Sequence, residues 1–229
     1  MPLPGAGGSM HENQHMNPLV TQTLSTAQTI IEIAATAAFA LSGVIEAARK
    51  RLDAVGIAVV AFLAAFGGGT LRDVLLDRRP FFWVANQWYV WALLTLCAAA
   101  MLMLRARHFR VTERAMQWPD ALGLGLFAAS GTQIALDAQM PGLIAVLMGV
   151  MTAAFGGVLR DIVCNEIPSA FRDHRPYAVC AFVGGWVVVA IDRMAQMPTL
   201  ALAVGGLLAT VLRLLAIRLD WTLPRWRAE

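Results

Sequence analysis

One charged motif occurs twice in the sequence. The run GGTLRD at residues 68–73 and the run GGVLRD at residues 156–161 differ at one position and lie 88 residues apart. Each run places an arginine beside an aspartate, so it offers one charge for a carboxylate and one for an ammonium group. Glycines in a membrane helix favour breaks whose free N–H and C=O groups suit a small solute. The two runs therefore predict a pair of related sites for a small ion or zwitterion.

A carboxylate precedes each arginine at the same spacing. Glu32 lies 40 residues before Arg72, and Asp120 lies 40 residues before Arg160. Counted along straight helices, the members of each pair have matched depth, which predicts Arg72 near Glu32 and Arg160 near Asp120. The competing interpretation makes the two acids interfacial residues at helix starts. An inward bend of both helices would instead bring Arg72 to Asp161.

The motifs belong to a longer internal repeat. A shift of 88 residues makes 12 of the 42 positions from 39 to 80 identical to positions 127–168. Each copy holds three predicted helices, an odd number, so the second copy enters the membrane from the opposite side. Inverted repeats place the working site at their interface. The candidate pore or substrate site comprises Ser42, Gly67, Gly68, Gly69, Arg72, Asp73, Ser130, Gly156, Gly157, Arg160 and Asp161, with Glu32 and Asp120 as charge partners.

The glycines have two interpretations. Interior glycine costs roughly 1 kcal/mol in a helix, so Gly67–Gly69 and Gly156–Gly157 are expected to break or bend the second and fifth helices. Alternatively, they allow close helix packing, as small residues do in membranes. The neighbouring Arg-Asp pairs favour the break.

The composition predicts an all-α integral membrane protein. Hydrophobic residues make up 58% and charged residues 14% of the 229 residues, with a net charge of +3. Crossing a bilayer takes about 20 apolar residues. Seven stretches qualify: 26–47, 54–76, 86–104, 119–137, 142–164, 176–194 and 199–219. The predicted organisation is a flexible tail over residues 1–25, one membrane domain over 26–219 (repeats 26–104 and 119–194, then a seventh helix at 199–219) and a tail over 220–229.

The distribution of Lys and Arg predicts the orientation. Twelve lie in the loops and tail on one side of the predicted spans and three on the other. The basic side faces the cytoplasm. The N-terminus is therefore expected outside and the C-terminus in the cytoplasm of a bacterial inner membrane.

The spans hold no residue set typical of an enzyme or a metal site. The three cysteines are far apart, and the four histidines fall in polar segments. No cofactor, metal or nucleic-acid partner is expected.

The three-plus-three repeat with its paired glycine-arginine-aspartate runs resembles the bacterial branch of the trimeric intracellular cation (TRIC) channels, also described as glycine transporters. The resemblance covers residues 26–219. It implies a homotrimer in which each protomer has its own pore, lined by kinked second and fifth helices between the repeats. Two hypotheses follow: a monovalent cation channel, with potassium favoured, and a carrier for glycine or another small zwitterion.

Overall fold

The chain folds into helices throughout the part that the structure describes. The computed structural model describes residues 18–106, 112–172 and 175–224. These ranges contain nine helices: α1 (Pro18–Arg49), α2 (Ala54–Leu75), α3 (Phe82–Ala85), α4 (Trp88–Ala106), α5 (Glu113–Asp137), α6 (Gly142–Val163), α7 (Ser169–Arg172), α8 (Ala178–Ala195) and α9 (Pro198–Arg218). The seven long helices overlap the predicted stretches, although α1 and α5 begin eight and six residues earlier than predicted. The two four-residue helices, α3 and α7, follow α2 and α6.

The helices are those of a multi-pass membrane protein. Within the described residues, five helices are long and apolar enough to span a bilayer: Thr26–Arg49 of α1, α2, α6, α8 and α9; the apolar part of α4, Trp88–Met103, is shorter. Helix α5 is less apolar because it packs against α1, α6, α8 and α9, so most of its surface contacts protein. The predicted all-helical membrane class is confirmed. Seven spanning helices stay a prediction, because the described residues hold nine helices, of which five meet the length and hydropathy of a span.

The helix ends repeat with the sequence period. Helices α2 and α6 begin and end 88 residues apart. Residues with a left-handed backbone conformation follow the helix ends at the same spacing of 88 residues. Arg51 (φ 58°) corresponds to Gln139 (φ 60°), and Asp77 (φ 50°) corresponds to Asn165 (φ 57°). The backbone therefore preserves the repeat at positions where the side chains differ.

Helices α2 and α6 cross at the glycines of the two motifs. A Cβ on Gly68 would lie 2.0 Å from the carbonyl oxygen of Thr152, and a Cβ on Gly156 would lie 2.2 Å from that of Ala64. Gly68 on α2 lies against Thr152 on α6, whereas the earlier residue Ala64 lies against the later residue Gly156. The two equivalent helices therefore run antiparallel, as an inverted repeat requires. Both helices continue without interruption through the glycines. A break at the glycines is therefore absent from α2 and α6, whereas a bend there stays a prediction. The glycines allow close packing of the two helices.

The first helix is longer than predicted. Helix α1 begins at Pro18, eight residues before the expected start at residue 26. Residues 18–25 are therefore helical and not part of a flexible tail. The rest of that tail, and residues 225–229 of the C-terminal tail, lie outside the described residues.

Candidate functional site

Arg72 lies at the centre of a buried charge cluster, here called the first cluster and formed by Glu32, Arg72 and Asp73. The Arg72 side chain has 0% exposure. Its Nη1 donates to Glu32 Oε1 at 2.7 Å, while Nε and Nη2 donate to Asp73 Oδ1 at 2.9 and 2.8 Å. Helices α1 and α2 are thus joined by one guanidinium that holds two carboxylates.

Arg160 forms the equivalent second cluster with Asp120 and Asp161. Its side chain is also 0% exposed, and Nη1 donates to Asp120 Oδ1 at 2.6 Å. Nε donates to Asp161 Oδ1 at 2.8 Å. Nη1 also donates to Ser42 Oγ on α1, which ties the second repeat to the first.

The predicted pairings of Arg72 with Glu32 and of Arg160 with Asp120 are confirmed. Each lies within one repeat, so the alternative contact between Arg72 and Asp161 is not the one formed. The interpretation of Asp120 as a merely interfacial acid is also wrong, since the residue is 3% exposed.

Asp73 and Asp161 also anchor the two short helices. Asp73 Oδ2 accepts from the N–H of Phe82 at 3.0 Å, and Asp161 Oδ2 accepts from the N–H of Ser169 at 2.8 Å. These N–H groups begin α3 and α7, whose first-turn amides need acceptors. Each aspartate therefore orients its arginine and holds the start of the short helix that follows.

The remaining motif glycines make room for side chains. A Cβ on Gly69 would lie 2.5 Å from the Phe82 ring, whose centroid is 5.8 Å from Arg72 Cζ. A Cβ on Gly67 would lie 2.6 Å from Leu159 Cδ1. Both glycines thus permit packing on α2 beside the first cluster.

The predicted site residues Ser130 and Gly157 are placed differently. Ser130 is buried, and within the described residues its hydroxyl has no hydrogen-bond partner. The contact between Ser42 and Arg160 therefore has no counterpart at Arg72. A Cβ on Gly157 would lie 3.2 Å from the Tyr177 hydroxyl, next to the second cluster.

Each cluster carries an excess of negative charge. The three residues of each cluster, one guanidinium and two carboxylates, have a formal charge of −1. The exposed Arg78, whose Nη1 lies 3.9 Å from Asp73 Oδ1, is outside this sum. The Glu32 side chain is 14% exposed and that of Asp120 is 4% exposed, so the first cluster is the more accessible. From the α2–α6 crossing and the helical rise, the two arginines lie ~18 Å apart along the helix axes.

Two aromatic rings lie between the two clusters in depth. Phe39 on α1 and Phe127 on α5 occupy equivalent repeat positions and stack with centroids 5.7 Å apart. Phe39 lies seven residues after Glu32 and three before Ser42, so its depth is between the two clusters. Both rings are at most 1% exposed.

The composition and charge pattern do not indicate that Tyr177 and Arg213 are buried near the second cluster. Tyr177 resembles an interfacial aromatic and Arg213 a residue that reaches toward the headgroups, yet both are 2% exposed. The Arg213 Cζ lies 4.7 Å from the Tyr177 ring centroid. The signal for Tyr177 is present in the sequence, because Tyr89 stands 88 residues earlier. Arg213 has no such signal, since α9 lies outside the repeats.

Known proteins share the repeat and the fold. The family model described as "Glycine transporter" matches residues 29–105 and again residues 117–193, an offset of 88 residues. The UPF0126 inner membrane protein YadS of Escherichia coli is 37% identical over 201 residues, covering 87% of this chain and 96% of that protein. A UPF0126 membrane protein of Vibrio cholerae is 37% identical over 195 residues, covering 85% of this chain and 81% of that protein.

Solved structures agree with the sequence relatives. The TRIC trimeric intracellular cation channel orthologue from Rhodobacter sphaeroides superposes with a TM-score of 0.80 at 33% identity, covering 86% of this chain and all of that one. A second TRIC cation channel structure gives a TM-score of 0.75 at 33% identity, covering 88% and 98% of the two chains.

Proposed function

Because the chain belongs to the glycine transporter family, we propose that it is a membrane cation channel, with potassium as the favoured ion. The family and its fold are those of channels and transporters. In the proposed assembly, three identical protomers each carry a separate pathway between the two repeats.

The charge of the two clusters is the observation that carries this proposal. A lone arginine in a narrow pathway would repel cations. Here two carboxylates surround each arginine, so the three residues of each cluster have a formal charge of −1 before the neighbouring Arg78 and Arg213 are counted. Rings and clusters of acidic side chains select cations in channels generally. Glu32 is the most exposed carboxylate of the two clusters and is proposed as the entry point.

The stacked phenylalanines are proposed as the constriction. They lie between the clusters in depth and are fully enclosed. Hydrophobic constrictions close pores by excluding water. An ion passing from Glu32 toward Asp120 would therefore need Phe39 and Phe127 to separate.

The membrane arrangement follows the charge asymmetry. We propose seven spanning helices, α1, α2, α4, α5, α6, α8 and α9, with the N-terminus outside and the C-terminus in the cytoplasm. A reporter fused after Glu229 should then read as cytoplasmic and a tag at Met1 as external. A periplasmic C-terminus would contradict the arrangement.

A glycine carrier is the second candidate. The supporting observation is that each cluster offers a guanidinium and carboxylates side by side, which suits a zwitterion. A carrier would bind glycine and occlude it, and it would show no steady ion conductance.

Purified protein in liposomes separates the two candidates. Potassium flux and uptake of labelled glycine are measured on the same vesicles, with Glu32→Gln as the test variant. The matched control is Asp53→Asn, which changes an exposed helix cap where asparagine serves equally well. The proposal expects potassium flux that falls in Glu32→Gln and is unchanged in the control. Saturable glycine uptake without potassium flux would favour the carrier.

A further inference from the structure

Arg213 on α9 is a buried cation without a visible counter-ion. The residue is 2% exposed, and within the described part of the chain its Nε and Nη1 have no hydrogen-bond partner. Its guanidinium faces the Tyr177 ring, with Cζ 4.7 Å from the centroid. A ring face stabilises a cation only in part, so the N–H groups still require an acceptor.

Two further donors near Arg213 are also unused. Among the described residues, Arg160 Nη2 and the Tyr177 hydroxyl have no hydrogen-bond partner, and their residues are 0% and 2% exposed. They converge beside Gly157, where an added Cβ would lie 3.2 Å from the hydroxyl and 3.7 Å from Nη2. Two unsatisfied donors therefore meet beside Gly157, and Arg213, with two more, lies against the ring of the same tyrosine.

The nearby carboxylates are already engaged. Asp120 Oδ1 accepts from Arg160 Nη1, and the two oxygens of Asp161 accept from Arg160 Nε and the Ser169 N–H. Neither Asp120 nor Asp161 accepts a hydrogen bond from Arg213 Nε or Nη1 or from the Tyr177 hydroxyl within the described residues. A guanidinium has donors only, and a buried charge left unpaired is strongly unfavourable. The unused donors therefore require a further acceptor, and because two of the three residues are cations they favour one with negative charge.

We propose that Arg160, Tyr177 and Arg213 form a binding site for one small monovalent anion, a halide or a small carboxylate. Asp120 Oδ1 lies 3.5 Å from the Cβ that would be added to Gly157, and its negative charge would repel an anion at that point. The proposed anion would therefore lie on the side of Tyr177 that faces Arg213. This assignment does not depend on which solute the protein transports.

The site should exist only at the second cluster. Arg72 and Tyr89 are the repeat equivalents of Arg160 and Tyr177, but α9 has no equivalent in the repeats. Arg213 adds a positive charge to the second cluster, and one bound anion would return the local formal charge to −1, the value of the first cluster. One anion per protomer is expected.

Thermal unfolding of the full-length protein in detergent tests the site. Potassium chloride or potassium formate replaces potassium gluconate at constant ionic strength, because gluconate is too bulky for a site enclosed to this degree. Wild-type protein should show a saturable rise in Tm with chloride, formate or both. A chloride response alone identifies a halide site, and a formate response alone identifies a carboxylate site.

Substitutions assign the response to these residues. Arg213→Met should abolish the saturable rise and leave the Tm in gluconate equal or higher. The control Arg218→Met should keep the rise; Arg218 is on the same helix and is also stacked on an aromatic ring (4.9 Å from Trp118), but it is exposed. Tyr177→Phe keeps the ring beneath Arg213 and should weaken the apparent affinity roughly tenfold, the effect of one hydrogen bond to a charged group.

Crystals grown in bromide provide the direct observation. One anomalous peak per protomer between Arg160 and Arg213 is expected. A site holding water only, or an equal Tm response in wild type and Arg213→Met, would overturn the proposal.

Discussion

Asp73 and Asp161 make the same two contacts in the two halves of the protein. One oxygen of each accepts from the preceding arginine, and the other accepts from the N–H that begins a four-residue helix. The equivalence links the repeat in the sequence to the geometry of both clusters. It also makes each aspartate a structural support as well as a source of negative charge.

Asp73→Asn should destabilise the protein. An amide can still accept from Phe82, but its NH2 group would face the donors of Arg72. The loss of charge-assisted hydrogen bonds is worth about 1.5–3 kcal/mol, which corresponds to a fall in Tm of roughly 3–12 °C for a chain of this size. The exposed cap variant Asp53→Asn should keep the wild-type Tm. Equal Tm values for all three proteins would show that Asp73 has no supporting role.

The contact between Arg72 and Glu32 should appear as an interaction energy. Arg72→Ala leaves two neighbouring carboxylates without their buried partner, which costs about 3–5 kcal/mol. The double variant Arg72→Ala/Glu32→Ala removes one of those carboxylates and should recover part of the loss. Thermal or denaturant unfolding of the wild type, both single variants and the double variant measures the coupling. Additive losses would mean that the hydrogen bond at 2.7 Å contributes nothing to stability.

Gly68→Ala and Gly156→Ala should impair folding. A Cβ at either position would lie within 2.2 Å of a backbone carbonyl oxygen of the facing helix, so α2 and α6 would have to separate. Gly206→Ala is the matched control, because its Cβ would meet its nearest neighbour at 3.4 Å and alanine favours the helix by about 1 kcal/mol. Yield and Tm after size-exclusion chromatography measure the effect. A Gly68→Ala protein with wild-type Tm would refute the close crossing.

Phe39→Ala should increase ion flux. Removing one ring of the stacked pair opens the proposed constriction, although the cavity costs about 3–5 kcal/mol of stability and the assay must use protein shown to be folded. Phe182→Ala on α8 is the control, since Phe182 is 36% exposed and distant in sequence from the repeats' paired phenylalanines. Potassium flux in liposomes should rise severalfold for Phe39→Ala and stay unchanged for Phe182→Ala. Unchanged flux in both variants would place the constriction elsewhere.

The charge pairs could be predicted because the repeat supplies two observations of each contact. Arg72 with Glu32 and Arg160 with Asp120 share one spacing of 40 residues, and matched depth along the helices brings the partners together. The class of protein follows from composition in the same direct way. These inferences need only the spacing of residues along a helix, the 88-residue repeat and the composition of the sequence.

The glycine breaks and the burial of Arg213 required information that the chain does not carry locally. Adjacent glycines suit both a broken helix and a close crossing, and only the position of Thr152 and Ala64 in the facing helix decides between them. Arg213 lies five residues before the end of α9, a depth that is also suitable for a headgroup contact. Its burial depends on Tyr177, which immediately precedes α8 and packs against Arg213.

The reversal potential under a potassium chloride gradient reports directly whether the protein conducts cations in preference to anions. Planar bilayers containing the purified protein are measured with the wild type, Glu32→Gln and the control Asp53→Asn. A potassium channel should give a reversal potential close to that of potassium for the wild type and the control. A shift toward zero is expected for Glu32→Gln, because the first cluster loses its excess negative charge while Arg72 keeps Asp73 as a partner. A wild-type protein that conducts chloride better than potassium, or a Glu32→Gln variant with unchanged selectivity, would contradict the account.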